Sequence, residues 1–538
     1  MTTSKKQYRI FLPLAFSAVL VMGMQLGYKM NNSVVGKKAS NMAGMSAMDE
    51  VINYIDAQYV DTVNGGELED QAIIEMLRGL DPHSSYIPAA ELKEVEESLQ
   101  GNFEGIGVEF SLLKDTITVV TPIAGGPSEA LGIRAGDKIV KIEDTLVAGV
   151  NITTEQVMAK LRGPKDTKVS VSIYRKGVKE LLDYEIVRNK IPIVSLDAAY
   201  MLSNDIGYIK LNRFSQTTFD EFYEALQKLK EQGLAKLILD LRQNPGGFLT
   251  AAVNIADEFI DGKKSIVYTE GRNYKRKDYD ARRPGMFESG ELMVLIDEGS
   301  ASASEIVAGA IQDWDRGTIV GRRSFGKGLV QDQFELSNKA ALRLTIARYY
   351  TPAGRCIQKP YEEGELDDYN EDLDKRFKHG ELQNADSLAK LQKEDTSSYY
   401  TLIKKQKLFG GGGIMPNIFV PLDTTHSDPF TIKARSNIVQ FAYDYYGNHA
   451  DDFKAYPTVA DFKAHYSVSD DMFAAFKQHV KREVGFIDNK LLQRDRKEFE
   501  IYIMAYLARQ LYGSAGFYPI VQENDKTLQK AIALLKEK

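Results

Sequence analysis

The sequence predicts a multidomain α/β protein: a layered α/β core, a β-rich module upstream of it, and helical regions at both ends. Three observations carry this reading. A chain of 538 residues calls for three or four domains at roughly 100–200 residues each. Residues 103–188 are short β-branched runs separated by Gly and Pro, the texture of a small β module. From about 205 to 350, apolar strands alternate with helix-period segments, the mark of an α/β layer. Composition agrees: 43% hydrophobic and 27% charged residues suit neither a disordered chain nor a multi-span membrane protein. Acidic residues (75) outnumber Lys and Arg (68) and no basic block occurs, so nucleic acid is not expected as a partner. Cys356 is the single cysteine, which excludes an internal disulfide, a redox pair and a cysteine-built zinc site.

Taken in order, Lys5, Lys6 and Arg9 precede an apolar run from Ile10 to Leu26, so residues 1–30 read as a signal peptide or membrane anchor. No small-residue cleavage site follows. We therefore expect an uncleaved anchor touching the membrane through residues 10–28, with a removed signal as the alternative. Either form places the rest of the chain in the cell envelope on the periplasmic side, tethered to the inner membrane or soluble. Residues 31–95 form an N-terminal helical region, ended by Asp81-Pro82-His83-Ser84-Ser85. Residues 96–188 are the β module, with one helix at Thr154–Leu161 capped by Thr153.

The α/β core spans 189–425. Its expected strands are Ile206–Leu211, Leu237–Leu241, Ile266–Thr269 and Leu292–Ile296; its expected helices are Thr218–Glu231, Phe248–Phe259 and Ser302–Trp314. The charged stretch 362–395 inside it reads as a solvated linker or exposed helix. Residues 426–538 read as a helical C-terminal domain. Its open roles are a homodimer contact, a lid or a docking surface, with dimerisation first.

Chemistry concentrates at three turns. Gly299-Ser300-Ala301-Ser302-Ala303-Ser304-Glu305 follows an apolar strand and opens a helix, where free N–H groups and the positive helix end stabilise an anion. Ser300, Ser302 and Ser304 are equal candidates on chemistry alone. No histidine lies between His83 and His379, so a Ser-His-Asp triad needs a remote residue and another base is required. Lys327, between Gly326 and Gly328, serves only if burial lowers its pKa; solvated, it costs roughly 4 kcal/mol at pH 7. Asn244-Pro245-Gly246-Gly247 ends a strand and can present backbone N–H groups as an oxyanion hole. Asp313 lies eleven residues beyond Ser302, about 16 Å along a helix, so it, Glu305 and Arg242 are read as structural.

These residues, with Phe325-Gly326-Lys327-Gly328-Leu329-Val330-Gln331, resemble the carboxy-terminal processing (tail-specific) proteases from about Asp81 to about Pro416. The resemblance implies a crotonase/ClpP-like layered peptidase core and a Ser-Lys dyad: Ser302 as nucleophile, Lys327 as general base and Gln331 orienting the lysine. It also implies oxyanion donors at Ala303 and at a glycine of the turn, Gly246 first. Pro416-Asn417 departs from the family's Pro-Asp. Gly105-Ile106-Gly107-Val108 has the form of a PDZ carboxylate-binding loop, and Gly126–Asp137 resembles bacterial PDZ domains. A substrate tail then adds as a strand, with Val157 and Leu161 facing its last side chain.

The expected function is an exported serine endopeptidase that cleaves proteins near free C-termini, without metal or cofactor. The alternatives are a PDZ-based scaffold with a catalytically silent core and a small-ester or acyl-CoA hydrolase.

Overall fold

A computed structural model describes residues 16–26, 29, 46–362 and 364–537. It divides into two compact units, residues 1–80 and 81–538. In the first, helices Ala47–Gln58 and Gly65–Arg78 start at Ser46 and Asn64, whose side chains accept N–H bonds from Asp49 and Gly66, the usual cap chemistry. Part of the predicted anchor lies outside the described residues; among those described, no helix is long and apolar enough to cross a membrane.

The second unit is built on a six-stranded sheet ordered Leu196–Met201, Ile206–Leu211, Lys236–Asp240, Glu291–Ile296, Thr318–Gly321 and Ile418–Phe419. Every pairing after the first is parallel. Side chains alternate across it with the period of two that a strand imposes. Leu237, Leu239, Leu292, Val294 and Ile296 face helices Thr218–Glu231, Leu249–Asp257 and Ala303–Asp313. Ile238, Met293, Leu295 and Val320 face the other way and pack on Leu528, Ala531 and Leu535. The last helix, Lys526–Glu537, therefore completes the core, and the boundary expected at 425/426 does not detach it. The helices from Pro429 to Val521 have their own core around Phe441, Phe476, Phe499 and Ile503.

A second, five-stranded sheet centres on the strand Ala341–Tyr350, which pairs with Leu329–Glu335, Ser85–Ile87 and Ser265–Glu270. The expected strand at 266–269 thus belongs here rather than to the parallel sheet. The β module forms a separate sheet, and its Val108–Leu112 strand lies at the edge, paired with Ile117–Pro122. Asn102–Gly105 and Asn189–Pro192 pair antiparallel as the two-stranded neck through which the chain enters and leaves the module.

The charged segment differs from expectation. Within it Tyr369, Arg376, Glu381 and Leu388 are buried. The guanidinium groups of Arg323 and Arg376 share the Glu381 carboxylate, and Arg376 also donates to the carbonyls of Arg323 and Ser324. Buried charge is tolerated where partners satisfy it, which a composition-based reading cannot see.

Candidate active site

Three parallel strands end side by side at Asp240, Ile296 and Gly321, and the turns that follow carry the three motifs. Ligands in open α/β sheets bind beyond these carboxyl ends. Ser302 caps the helix Ala303–Asp313 at φ 53°, ψ −112°, a strained backbone for a residue with a side chain, costing roughly 1–3 kcal/mol. A serine held on such a strand-to-helix turn presents its hydroxyl outward. Ser300 and Ser304 are fully buried. Ser300 Oγ donates to Leu241 O at 2.8 Å and Ser304 Oγ to Asn244 O at 2.9 Å, so both are structural, whereas Ser302 is partly exposed.

Glu305, one turn into the helix, is the hub. Its Oε2 accepts the N–H groups of Ser302 (2.8 Å) and Lys327 (2.9 Å). Its Oε1 accepts Gly326 N–H (2.8 Å) and Ser324 Oγ–H (2.5 Å). Burial pushes this carboxyl up to about 7, against the pull of those four donors on the ionised form. The Tyr349 hydroxyl reaches the carbonyls of Ser302 (3.1 Å) and Lys327. The backbones of the two candidate catalytic residues are thus fixed to each other.

Burial lowers the pKa of the Lys327 ammonium, Arg343 lowers it further, and Glu305 and Asp81 oppose this. Its Nζ donates to Gln331 Oε1 at 3.3 Å. Lys327 and Gln331 therefore meet, while Ser302 is joined to Lys327 through the shared backbone partners. Gln331 Nε2 in turn donates to the carbonyl of His83. The structure thus brings His83, one of the histidines remote in sequence, to Gln331. Burial first and the Lys327 charge second lower its pKa to about 4, so it is neutral. Its signal in the sequence was the Asp-Pro-His-Ser break itself.

Ala303 supplies the first N–H of the helix, beside the Pro245-Gly246-Gly247 turn. A Cβ on Gly246 would stand 2.8 Å from Ala303 N and 2.8 Å from Ser302 Cβ. The Gly246 N–H, however, donates to Asn244 Oδ1 at 2.9 Å. A donor committed to an Asx turn is not free for an oxyanion, so the expectation for Gly246 is corrected and Gly247 becomes the candidate in that turn.

Asp313 pairs with Arg355, both with fully buried side chains, and accepts Ala353 N–H at 2.8 Å. Arg242 bridges Asp240 to Asp525. Both sit where the structural reading put them.

In the β module, Gly105-Ile106-Gly107 leads into the edge strand, with Gly107 at φ 73°. Ile106 and Val108 are buried, and Val157 and Leu161 lie in the module's core, 0% and 4% exposed. As it stands, the helix therefore does not offer these two side chains to an open groove, in contrast to the expectation.

The fold and site define a serine peptidase with a PDZ module. Comparison with family models matches residues 205–367 to peptidase family S41, 105–186 to the PDZ domain and 431–513 to a family of unknown function. The carboxy-terminal-processing protease of Bartonella bacilliformis is 40% identical over 321 residues, 58% of this chain and 72% of the relative. The carboxy-terminal processing protease CtpA of Bacillus subtilis is 33% identical over 389 residues, 70% of this chain and 82% of the relative. Among solved structures, a photosystem II D1 C-terminal processing protease is 30% identical with a TM-score of 0.34, covering 57% of this chain and 89% of that one. The chain belongs to peptidase family S41 and is a carboxy-terminal processing protease.

Proposed function

We propose that the protein is an exported endopeptidase that cuts near the C-termini of protein substrates with Ser302 and Lys327, and that its PDZ module selects free tails. The observation that carries this reading is the single Glu305 oxygen that binds both backbones beside a lysine whose burial favours its neutral form. Neutral Lys327 Nζ takes the Ser302 proton as Oγ bonds to the scissile carbonyl carbon. The Ala303 and Gly247 N–H groups face the developing oxyanion. The proton passes to the leaving amine, and water then hydrolyses the Ser302 ester with Lys327 again as base. Gln331 holds the amine in place. The Val108–Leu112 edge supplies unpaired backbone for a tail to add as a strand.

The test is incubation of the full chain with an unfolded protein and with matched peptides ending in a free carboxylate or an amide. We expect cleavage that is lost in Ser302→Ala and Lys327→Ala and slowed by amidation. Cleavage that survives either substitution contradicts the dyad; equal rates for the two tails contradict tail selection; and no cleavage at all favours a scaffold.

A further inference from the structure

We propose that Tyr369, from the charged segment, and His83, from the turn after residue 80, are positioning residues that form one wall of the Lys327 pocket and set the orientation of Gln331. The proposal rests on Lys327 being the general base.

A glutamine side chain can present either oxygen or nitrogen to a neighbouring amine. Here Gln331 Nε2 is taken by the His83 carbonyl, which leaves Oε1 for Lys327 Nζ. The position of that carbonyl is fixed from two sides. On the backbone side, Asp81 Oδ1 accepts the N–H groups of His83 (2.8 Å) and Ser84 (2.9 Å) and the hydroxyl of Thr345 (3.0 Å). Ser84 Oγ donates to Asp81 Oδ2 at 2.6 Å and accepts Thr345 N–H at 3.0 Å. The turn is thereby tied to Thr345, the residue opposite Gln331 across the paired strands.

On the side-chain side, His83 Nε2 lies 2.8 Å from the Tyr369 hydroxyl. Gln358 Nε2 donates to that hydroxyl at 3.3 Å, so the phenol is held between Gln358 and His83 Nε2, and the direction of the His83 bond follows the imidazole tautomer. The rings of His83, Phe325 and Tyr369 pack edge-on or tilted, with centroids 5.4 to 6.5 Å apart. Lys359 Nζ sits 4.3 Å from the Phe325 ring centroid and 3.9 Å from that of Tyr369, and donates to Tyr369 O. Tyr369 is 5% exposed. The result is a wall of three rings, uncharged at the His83 position. A wall that keeps water from an amine favours its neutral form.

The test reads Lys327 directly in the full chain. Acetic anhydride labelling is followed against pH by peptide mass spectrometry, with exposed Lys390 as internal reference. Tyr369→Phe removes one hydroxyl and His83→Asn removes the ring; thermal midpoints report folding. We expect the half-labelling pH of Lys327 to rise by about one unit in each variant toward that of Lys390, because one unit is a tenfold change in the neutral fraction. The acid limb of kcat should move with it while KM for a free-tailed peptide stays within about twofold. His83→Asn carries the test alone if Tyr369→Phe does not fold. Folded variants with an unchanged Lys327 labelling profile overturn the proposal. Labelling needs no proteolysis, so a wild-type chain that cleaves nothing contradicts the proposed function and still decides this point.

Discussion

The main-chain N–H groups of Ser302 and Lys327 donate to the same oxygen, Oε2 of Glu305, at 2.8 and 2.9 Å. Both carboxylate oxygens accept two donors each, so Glu305→Gln puts an NH₂ group where two donors converge. Each buried donor left unpaired costs about 1–3 kcal/mol, and we expect a marked loss of thermal stability together with a fall in kcat.

Glu305 also gives a pH signature. Its pKa in the folded chain is about 7 against an ordinary 4.5, so between these values the folded state binds more protons than the unfolded. The stabilisation it contributes is full below 4.5 and lost by about pH 7, a change of roughly 3 kcal/mol. Activity runs the opposite way, since the ionised form is the one the four donors require and Lys327 must be neutral. Denaturant titrations from pH 4.5 to 8 should show this fall in the wild type and a flatter profile in Glu305→Gln. Parallel profiles in the two proteins contradict the assignment.

Asp313 can be separated from the chemistry. Asp313→Ala leaves the buried Arg355 guanidinium without its charged partner, held only by Phe409 O and Gln312 Oε1, which typically costs about 3–5 kcal/mol. The thermal midpoint should fall sharply, while the folded fraction below that midpoint keeps near wild-type kcat. Loss of kcat at unchanged stability would place Asp313 in the catalytic machinery.

Gly246 has φ 96°, and an added Cβ would meet Ala301 O at 2.7 Å and Ser302 Cβ at 2.8 Å. Gly246→Ala should push the turn from Ser302 and misplace the Gly247 N–H, with a kcat loss of about 10²–10³ and little change in KM. A kcat within threefold of wild type excludes this turn from the oxyanion hole.

Gly107 tests the tail reading. At φ 73° a Cβ would lie 2.9 Å from Ile191 Cδ1, and the left-handed backbone costs a side chain about 1–2 kcal/mol. Gly107→Ala should raise KM for free-tailed peptides several-fold while leaving amidated peptides unchanged. An equal effect on both peptides separates this loop from tail recognition.

Much of this architecture was legible because it is local. The period-two and helix-period patterns fixed strands such as Ile206–Leu211 and helices such as Thr218–Glu231, and the capping at Thr153 followed from its side chain. The turns narrowed the candidate nucleophile to Ser300, Ser302 and Ser304 and offered Lys327 as the base; the family resemblance, and not the turn, singled out Ser302. What stayed hidden depends on pairing between distant segments. His83 reaches Gln331 because Ser85–Ile87 pairs with Ala341–Leu342–Arg343. Tyr369 reaches His83 because buried Arg–Glu partners hold the charged segment down. Gly246 is set apart from Gly247 by a hydrogen bond from its own N–H to Asn244, and no sequence pattern distinguishes two adjacent glycines in that way.

The central claim is that one serine is activated by one neutral lysine. Its most direct test is the site and pH dependence of labelling by a fluorophosphonate ester, mapped by peptide mass spectrometry on the full chain. The account predicts an adduct on Ser302, none on Ser300 or Ser304, a rate that rises with pH as Lys327 loses its proton, and no labelling in Lys327→Ala. Labelling of Ser302 at an unchanged rate in Lys327→Ala, or an adduct on Ser300 or Ser304 instead, contradicts it.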